Sequence, residues 1–300
     1  MEVGIVGLGR MGGGITRRLL GAGHRVVAYD RDPAAVLRVE ADGAVGVGSP
    51  AALAGSLGRP RVVWLMVPAG PPVDEALGGL VPHLQPGDIV VDGGNSYYKD
   101  TLRRAAELKA RGLHLVDVGT SGGIWGEEAG YCLMVGGDPE PVGHLEPLLR
   151  ALAAPGGYAH VGPTGAGHFV KMVHNGIEYG LMQAYAEGFE LLRAKAEFHL
   201  DLGQVASLWL NGSVVRSWLL ELTTRILSRN PELAGVSGYV EDSGEGRWTV
   251  AESLDLAVPA PVITLALQAR FRSRQADSFG ARLLAALRRE FGGHPVRGSE

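Results

Sequence analysis

The sequence predicts an α/β domain followed by an all-α domain. In the first half, short β-branched runs alternate with amphipathic stretches, the order expected of a parallel sheet with crossover helices. Past residue 160 the strand signal fades and long helical stretches follow. Glycine supplies 46 of 300 residues, roughly twice ordinary usage, so much of the backbone turns sharply or approaches something closely.

The strands read as Val3–Gly7, Arg25–Asp30, Arg61–Val67, Asp88–Asp92 and His114–Val118, each short and bounded by Gly or Pro. Gly12–Gly21 and Thr101–Arg111 read as helices between them. Pro155–Gly167, rich in Gly and Pro, reads as a seam. Helices are expected over about 167–196, 203–229 and 260–291, which places the α/β domain at 1–162 and the all-helical one at 163–300.

Composition narrows the classes. With 46% hydrophobic and 20% charged residues the chain is globular. A net charge of −4 argues against a nucleic-acid partner. One cysteine, Cys132, excludes an intrachain disulfide and a zinc site built on several thiolates, and no metal is expected. No apolar run is long enough to span a membrane. The start, Met-Glu-Val-Gly-Ile-Val-Gly, has an early acid and no basic segment, unlike a signal peptide. A cytoplasmic location is the expectation.

Val3-Gly4-Ile5-Val6-Gly7-Leu8-Gly9-Arg10-Met11-Gly12 is a strand running into G-x-G-x-x-G. Gly7 permits the tight turn, Gly9 lets backbone approach a pyrophosphate, and Gly12 lets the helix pack against the strand. The helix N-terminus then faces the anion with free N–H groups and its positive dipole end. Asp30 closes the second strand 18 residues after Gly12, where an acid that binds ribose belongs. This context predicts a Rossmann-type dinucleotide-binding domain; the alternative is a glycine-rich turn with no ligand. Asp30 and Asp32 would repel a 2′-phosphate, while Arg31 could stack on adenine or pair with one. Two acids against one arginine make NAD the preferred cofactor and NADP the second.

Further along, Gly167 to Gly180 carries an unusual helix face. At 100° per residue, Lys171, His174, Asn175 and Glu178 fall within about 100° of one another, with Tyr179 at the border. Val170, Val173, Ile177 and Gly180 point the other way. A solvated face usually carries Glu/Lys/Arg pairs; this one offers a base, an acid and two hydrogen-bonding groups. Lys171 and Glu178 stand two turns, roughly 10 Å, apart along the axis. The set suits acid–base chemistry on a small molecule, against the alternative of an amphipathic helix whose polar face meets water. Two loops end strands with small residues, Asp92-Gly93-Gly94-Asn95-Ser96 and Gly119-Thr120-Ser121-Gly122-Gly123. Their N–H groups and short side chains suit a carboxylate or sugar hydroxyls at the carboxyl edge of the sheet; read alone, each is also an ordinary tight turn.

Taken in order, these motifs resemble the 6-phosphogluconate dehydrogenases, in their short NAD-preferring form, within the β-hydroxyacid dehydrogenase superfamily. The resemblance runs along most of the chain. The His-Asn-x-x-Glu-Tyr continuation after Lys171 is its most specific mark, and Arg288-Arg289-Glu290-Phe291-Gly292-Gly293-His294 resembles the family's C-terminal tail.

The resemblance implies a role for each matched residue. Gly7, Leu8, Gly9, Arg10, Met11, Gly12, Asp30, Arg31, Val67 and Asn95 would hold the cofactor. Asn95, Ser121, Gly122, Gly123, His174 and Asn175 would bind the sugar-acid end of the substrate. Tyr179, Arg270, Arg288 and His294 would take its phosphate. Lys171 would be the general base and Glu178 the general acid. The implied reaction is oxidative decarboxylation of 6-phosphogluconate to ribulose 5-phosphate, a step of the pentose phosphate pathway and of gluconate utilisation. The implied assembly is a homodimer or homotetramer with a shared active site, since the family's tail often crosses to a neighbour.

The chain also departs from the family. Asp30-Arg31-Asp32 stands where long members carry Asn-Arg-Thr, and Pro68 where a lysine is common. The family's lysine before the G-x-G-[KR]-W-T motif is replaced in Asp242-Ser243-Gly244-Glu245-Gly246-Arg247-Trp248-Thr249, and a carboxylate there would repel a phosphate. Seven arginines (270, 272, 274, 282, 288, 289, 297) against two acids, Asp277 and Glu290, suit an anion instead. Two other readings stand beside this one. Another β-hydroxyacid dehydrogenase, such as one for 3-hydroxyisobutyrate, would need Lys171 and Asn175 but not Glu178 or the arginine tail. A non-catalytic NAD sensor would need neither Lys171 nor Glu178.

Overall fold

A computed structural model of the chain describes residues 1–296, so Arg297 lies outside the described residues. The chain forms two compact units, Met1–Asn175 and Gly176–Glu300.

The first unit alternates strand and helix: β1 (Glu2–Val6), α1 (Arg10–Gly21), β2 (Arg25–Tyr29), α2 (Pro33–Ala41), β3 (Val45–Gly46), α3 (Pro50–Gly55), β4 (Val62–Leu65), α4 (Pro71–Leu80), β5 (Ile89–Asp92), α5 (Tyr98–Lys109), β6 (His114–Ser121), α6 (Gly126–Ala129), β7 (Tyr131–Gly136), α7 (Pro139–Leu152) and β8 (Ala153–Gly162). One sheet holds all eight strands in the order β3-β2-β1-β4-β5-β6-β7-β8. Strands β1 to β6 are parallel, β7 runs antiparallel to β6, and β8 is parallel to β7. The order reverses between β1 and β4, the position where doubly wound sheets open a ligand crevice.

Strand periodicity explains why this sheet is buried on both faces. Ile5, Trp64, Val91 and Val118 join one core with α1 and α7, whereas Val6, Val63, Val90 and Leu115 join a second with α3 and α4. Trp64 and Ile5 are fully buried.

The expected α/β-then-α order holds, with three local differences. Pro155–Gly167 is not an open loop: most of it belongs to β8. This strand lies at the sheet edge and pairs with β7 through register shifts, and an edge tolerates the missing donor of Pro155. β7 was also absent from the periodicity reading, because Tyr131-Cys132-Leu133-Met134 lacks a β-branched run. The stretches 203–229 and 260–291 are each two helices rather than one.

Those breaks are visible in the second unit, which contains α9 (Leu202–Trp209), α10 (Trp218–Arg229), α11 (Glu245–Asp255), α12 (Pro261–Ser273) and α13 (Phe279–Gly292). α8 (Ala166–Ala194) is one continuous helix across the division. Before α10, Gly212 takes φ +77° and the Ser217 side chain caps the new helix by accepting from the Leu220 N–H. Before α13, Ser278 caps through the Ala281 N–H. Among the described residues, no helix is long and apolar enough to cross a membrane.

Candidate active site

The glycine loop follows β1 directly. Gly7 has φ +92°, a left-handed conformation that favours glycine. A Cβ on Gly12 would lie 1.9 Å from the Gly7 carbonyl oxygen, so only glycine lets α1 start this close to β1. A Cβ on Gly9 would meet nothing within 4 Å, which leaves its backbone open to a ligand at the head of α1. Leu8 is buried and Met11 packs on the core, while Arg10 is exposed at the first turn.

A cleft of about 610 Å³ opens at the carboxyl ends of β1, β2 and β4, lined by Gly7, Gly9, Asp30, Arg31, Val67 and Glu75 among others. Asp30 is fixed beside the loop: one carboxylate oxygen accepts from the Leu8 N–H at 2.6 Å and the other from the Asp32 N–H at 2.8 Å. Each oxygen keeps a further lone pair for a ribose hydroxyl. Arg31 donates to Glu75 on α4 at 2.7 Å, a partner that motif reading missed because it lies 44 residues away. Open backbone, a helix N-terminus and a carboxylate at the strand end together fit a dinucleotide. Pro68 lines the same cleft and offers no cation.

The two further loops sit at the ends of β5 and β6. Asp92 shapes the first, accepting from the Gly94 N–H and from the Ser96 hydroxyl at 2.7 Å, which leaves Asn95 exposed beyond it. After Ser121, Gly122 and Gly123 take φ +124° and +52°. Two consecutive left-handed residues are strained for any residue but glycine.

The head of α8 is held against β6 by close packing. Asp117, fully buried on β6, accepts from the Gly165 and His168 N–H groups at 2.6 and 2.8 Å, and so caps the helix from the sheet. A Cβ on Gly119 would come within 2.4 Å of the Lys171 Cβ, and one on Gly167 within 2.4 Å of the Met134 carbonyl. This contact buries Lys171 to 6% exposure. His174 Nε2 lies 3.4 Å from the Ser121 hydroxyl; its Nδ1 lies 3.5 Å from Lys171 Nζ and 3.0 Å from Asn175 Oδ1. A protonated Nδ1 donates to Asn175, and a bare one accepts from Lys171, so one ring atom serves both neighbours in alternation.

α8 buries part of its polar stripe and exposes part of its apolar face. Its polar stripe does not simply meet water, since Lys171 and Tyr179 are buried. Val170, Ile177, Leu181 and Leu191 are 37%, 53%, 45% and 73% exposed.

In the second unit, Tyr179 packs against Gly246, and its hydroxyl accepts from the Ser243 N–H at 3.2 Å. The Arg270 guanidinium stacks on the Tyr179 ring at 3.6 Å and donates to the Glu241 carbonyl. Glu245 is buried and accepts from the Ser243 hydroxyl. Arg247 and Arg274 both pair with Asp242 and hold its carboxyl down to about 2 by hydrogen bonding. Glu178 is half-buried. Arg288 and His294 are exposed, on and just past α13, a helix with no buried residue. Among the described residues, no group of three or more His, Cys, Asp or Glu side chains could hold a metal ion.

Comparison with known proteins agrees with this architecture. Residues 2–168 match the NAD binding domain of 6-phosphogluconate dehydrogenase, and residues 167–294 match the 6-phosphogluconate dehydrogenase C-terminal domain. A Haloferax volcanii protein named 6-phosphogluconate dehydrogenase, NAD(+)-dependent, decarboxylating is 48% identical over 298 residues, covering 99% of this chain and 98% of its own. The Plasmodium falciparum 6-phosphogluconate dehydrogenase structure, solved with NADP+ and with its substrate, superposes with a TM-score of 0.84 at 28% identity. That match covers all of this chain and 67% of the other. A Mycobacterium tuberculosis 3-hydroxyisobutyrate dehydrogenase, 23% identical with a TM-score of 0.75 over 96% of this chain and 99% of its own, shares the fold. With both halves matched and nearly half the residues identical to a full-length relative, the chain belongs to the 6-phosphogluconate dehydrogenase family.

Proposed function

We propose that this chain oxidatively decarboxylates 6-phosphogluconate to ribulose 5-phosphate and CO₂, with NAD as preferred acceptor and NADP as the second. The carrying observation is Lys171, a lysine buried at the head of α8 against Gly119 and within reach of His174. It stands in the family's Lys-x-x-His-Asn-x-x-Glu-Tyr order.

When bound, the nicotinamide supplies the hydride acceptor for C3. Gly7, Gly9, Gly12 and the α1 N-terminus hold the pyrophosphate, with Leu8, Arg10 and Met11 in the same turn, Asp30 on the ribose, and Arg31, Val67 and Asn95 along the rest. Lys171, neutral when it acts, takes the C3 hydroxyl proton as hydride leaves. The resulting 3-keto acid loses CO₂ because its ketone accepts the electrons of the breaking C1–C2 bond. Protonated Lys171 stabilises the enolate oxygen. Glu178, two turns along the same helix, then protonates the carbon that lost the carboxylate, C2 of the gluconate and C1 of ribulose 5-phosphate. Asn95, Ser121, Gly122, Gly123, His174 and Asn175 orient the sugar acid, and Tyr179, Arg270, Arg288 and His294 take the phosphate.

The active form is a homodimer or homotetramer in the cytoplasm, with Arg288 and His294 reaching a neighbour's site. The support is unpartnered apolar surface. Phe279, Leu283, Leu284, Leu287 and Phe291 form an exposed stripe on α13 beside these residues, and Val170 and Ile177 another on α8.

The test is NADH formation with 6-phosphogluconate against 3-hydroxyisobutyrate, with CO₂ trapped. One CO₂ per NADH from 6-phosphogluconate alone is expected. Turnover of 3-hydroxyisobutyrate in its place, or NADH without CO₂, overturns the reading.

A further inference from the structure

The geometry points to Glu75 as a determinant of cofactor specificity: it occupies the one arginine that a 2′-phosphate would need. This rests on the dinucleotide reading of the cleft after β1.

Arg31 and Glu75 line that cleft together, and Arg31 is the only cation among its described lining residues. Their contact, Nη2 to Oε2 at 2.7 Å, joins the loop after β2 to α4. Among the described residues, the acids beside Arg31 in sequence are engaged elsewhere. Asp30 spends one oxygen on the Leu8 N–H and the other on the Asp32 N–H. Asp32 caps α2 through the Ala34 N–H and faces Arg38 at 3.8 Å.

A 2′-phosphate brings about two negative charges and asks for a guanidinium fork. At this site it must displace Glu75 from Arg31 and then stand beside the displaced carboxylate and Asp30. A ribose hydroxyl has neither requirement. The pair is exposed, at 71% and 60% for the two side chains, so it is weak. A weak pair that must be broken only by NADP still discriminates. Release of Arg31 together with loss of one repulsive charge amounts to about fivefold, or about 1 kcal/mol.

Binding is measured by calorimetry without turnover, using NAD+, NADP+, AMP and adenosine 2′,5′-bisphosphate. Glu75→Gln tightens NADP+ and the bisphosphate about fivefold and leaves NAD+ and AMP within about twofold, and the gain shrinks as salt screens the charges. Arg31→Ala in the native background changes the NADP+/NAD+ affinity ratio less than about twofold, but in the Glu75→Gln background it removes the gain in that ratio. Unchanged NADP+ affinity in Glu75→Gln, or an equal loss from Arg31→Ala in both backgrounds, overturns the assignment while NAD+ binding leaves the dinucleotide reading standing. If NAD+ fails to bind the native chain, that reading falls and the assignment with it. Both side chains are on the surface, so these variants keep the fold.

Discussion

Met1–Asn175 and Gly176–Glu300 use the same kinds of apolar residue to opposite ends. In the first unit the sheet separates two continuous cores, and Leu145, Leu148, Leu149 and Leu152 of α7 are fully buried. Among its described residues the second has two small clusters, around Tyr179 with Ala266 and Leu267, and around Ala206 with Leu220 and Leu227. Of its other apolar side chains, Leu192, Val205, Leu219 and Leu222 are half-buried, and all of the stripe on α13 is exposed. A sheet covered on both faces completes its core within one chain, whereas a helix of this unit buries only the stripe that meets a neighbour. The first unit therefore closes its core within itself, and the helices of the second leave apolar stripes exposed.

The largest expected effect sharpens the division of labour. Lys171→Met should lower turnover by about 10²–10⁴-fold, the usual contribution of a general base, while NAD+ affinity stays nearly unchanged, because the glycine loop does not depend on this lysine. A variant keeping more than about a tenth of the turnover would exclude Lys171 as the base. Mixing it with an inactive Arg288→Ala protein should recover part of the activity if sites are shared. Proven subunit exchange with no recovery would place both residues in one chain's site.

A stability comparison tests the contrast between the units directly. Leu148→Ala should cost about 2–5 kcal/mol at any protein concentration, as large-to-small changes in closed cores do. Leu284→Ala, 65% exposed on α13, should cost under about 0.5 kcal/mol in dilute protein and more as concentration rises. Denaturant titrations at two concentrations decide it. An equal, concentration-independent loss from both would mean that α13 is already packed within its own chain.

The smallest effect concerns the ion pairs that replace apolar packing in the second unit. Asp242 lies at about 2, below the ordinary value of 3.8, because Arg247 and Arg274 bind its carboxylate. A lowered carboxyl stabilises the fold above its unfolded value and loses that stabilisation as pH falls. The contribution should be complete above about pH 4 and vanish as pH drops through about 2, amounting to at most about 2 kcal/mol. Asp242→Asn should flatten this part of the stability profile, measured by thermal unfolding between pH 2 and 6. An unaltered profile would show that the pairs add nothing beyond surface electrostatics.

Much of this was legible in local pattern. The β-branched runs and the G-x-G-x-x-G at Gly7, Gly9 and Gly12 announce the sheet and its cleft, because strand alternation and a left-handed turn are requirements of neighbouring residues. The spacing of Lys171, His174, Asn175 and Glu178 likewise follows from the helical repeat alone. β3, β7 and β8 escaped: β3 is two residues long, β7 lacks a β-branched run, and β8, an edge strand with Pro155 and paired glycines, is stabilised by its partner and not by its own composition.

What the sequence by itself determined is therefore the order of elements, the glycine turn and the grouping of chemistry on one helix. Tertiary structure alone decided how deeply the head of α8 is buried, because the approach allowed by Gly119 and Gly167 buries Lys171 while Val170 beside it stays exposed. It also decided that Arg31 answers to Glu75 rather than to Asp30 or Asp32 beside it. Periodicity orders residues along one element; the choice of neighbour is made by backbones brought together from distant parts of the chain.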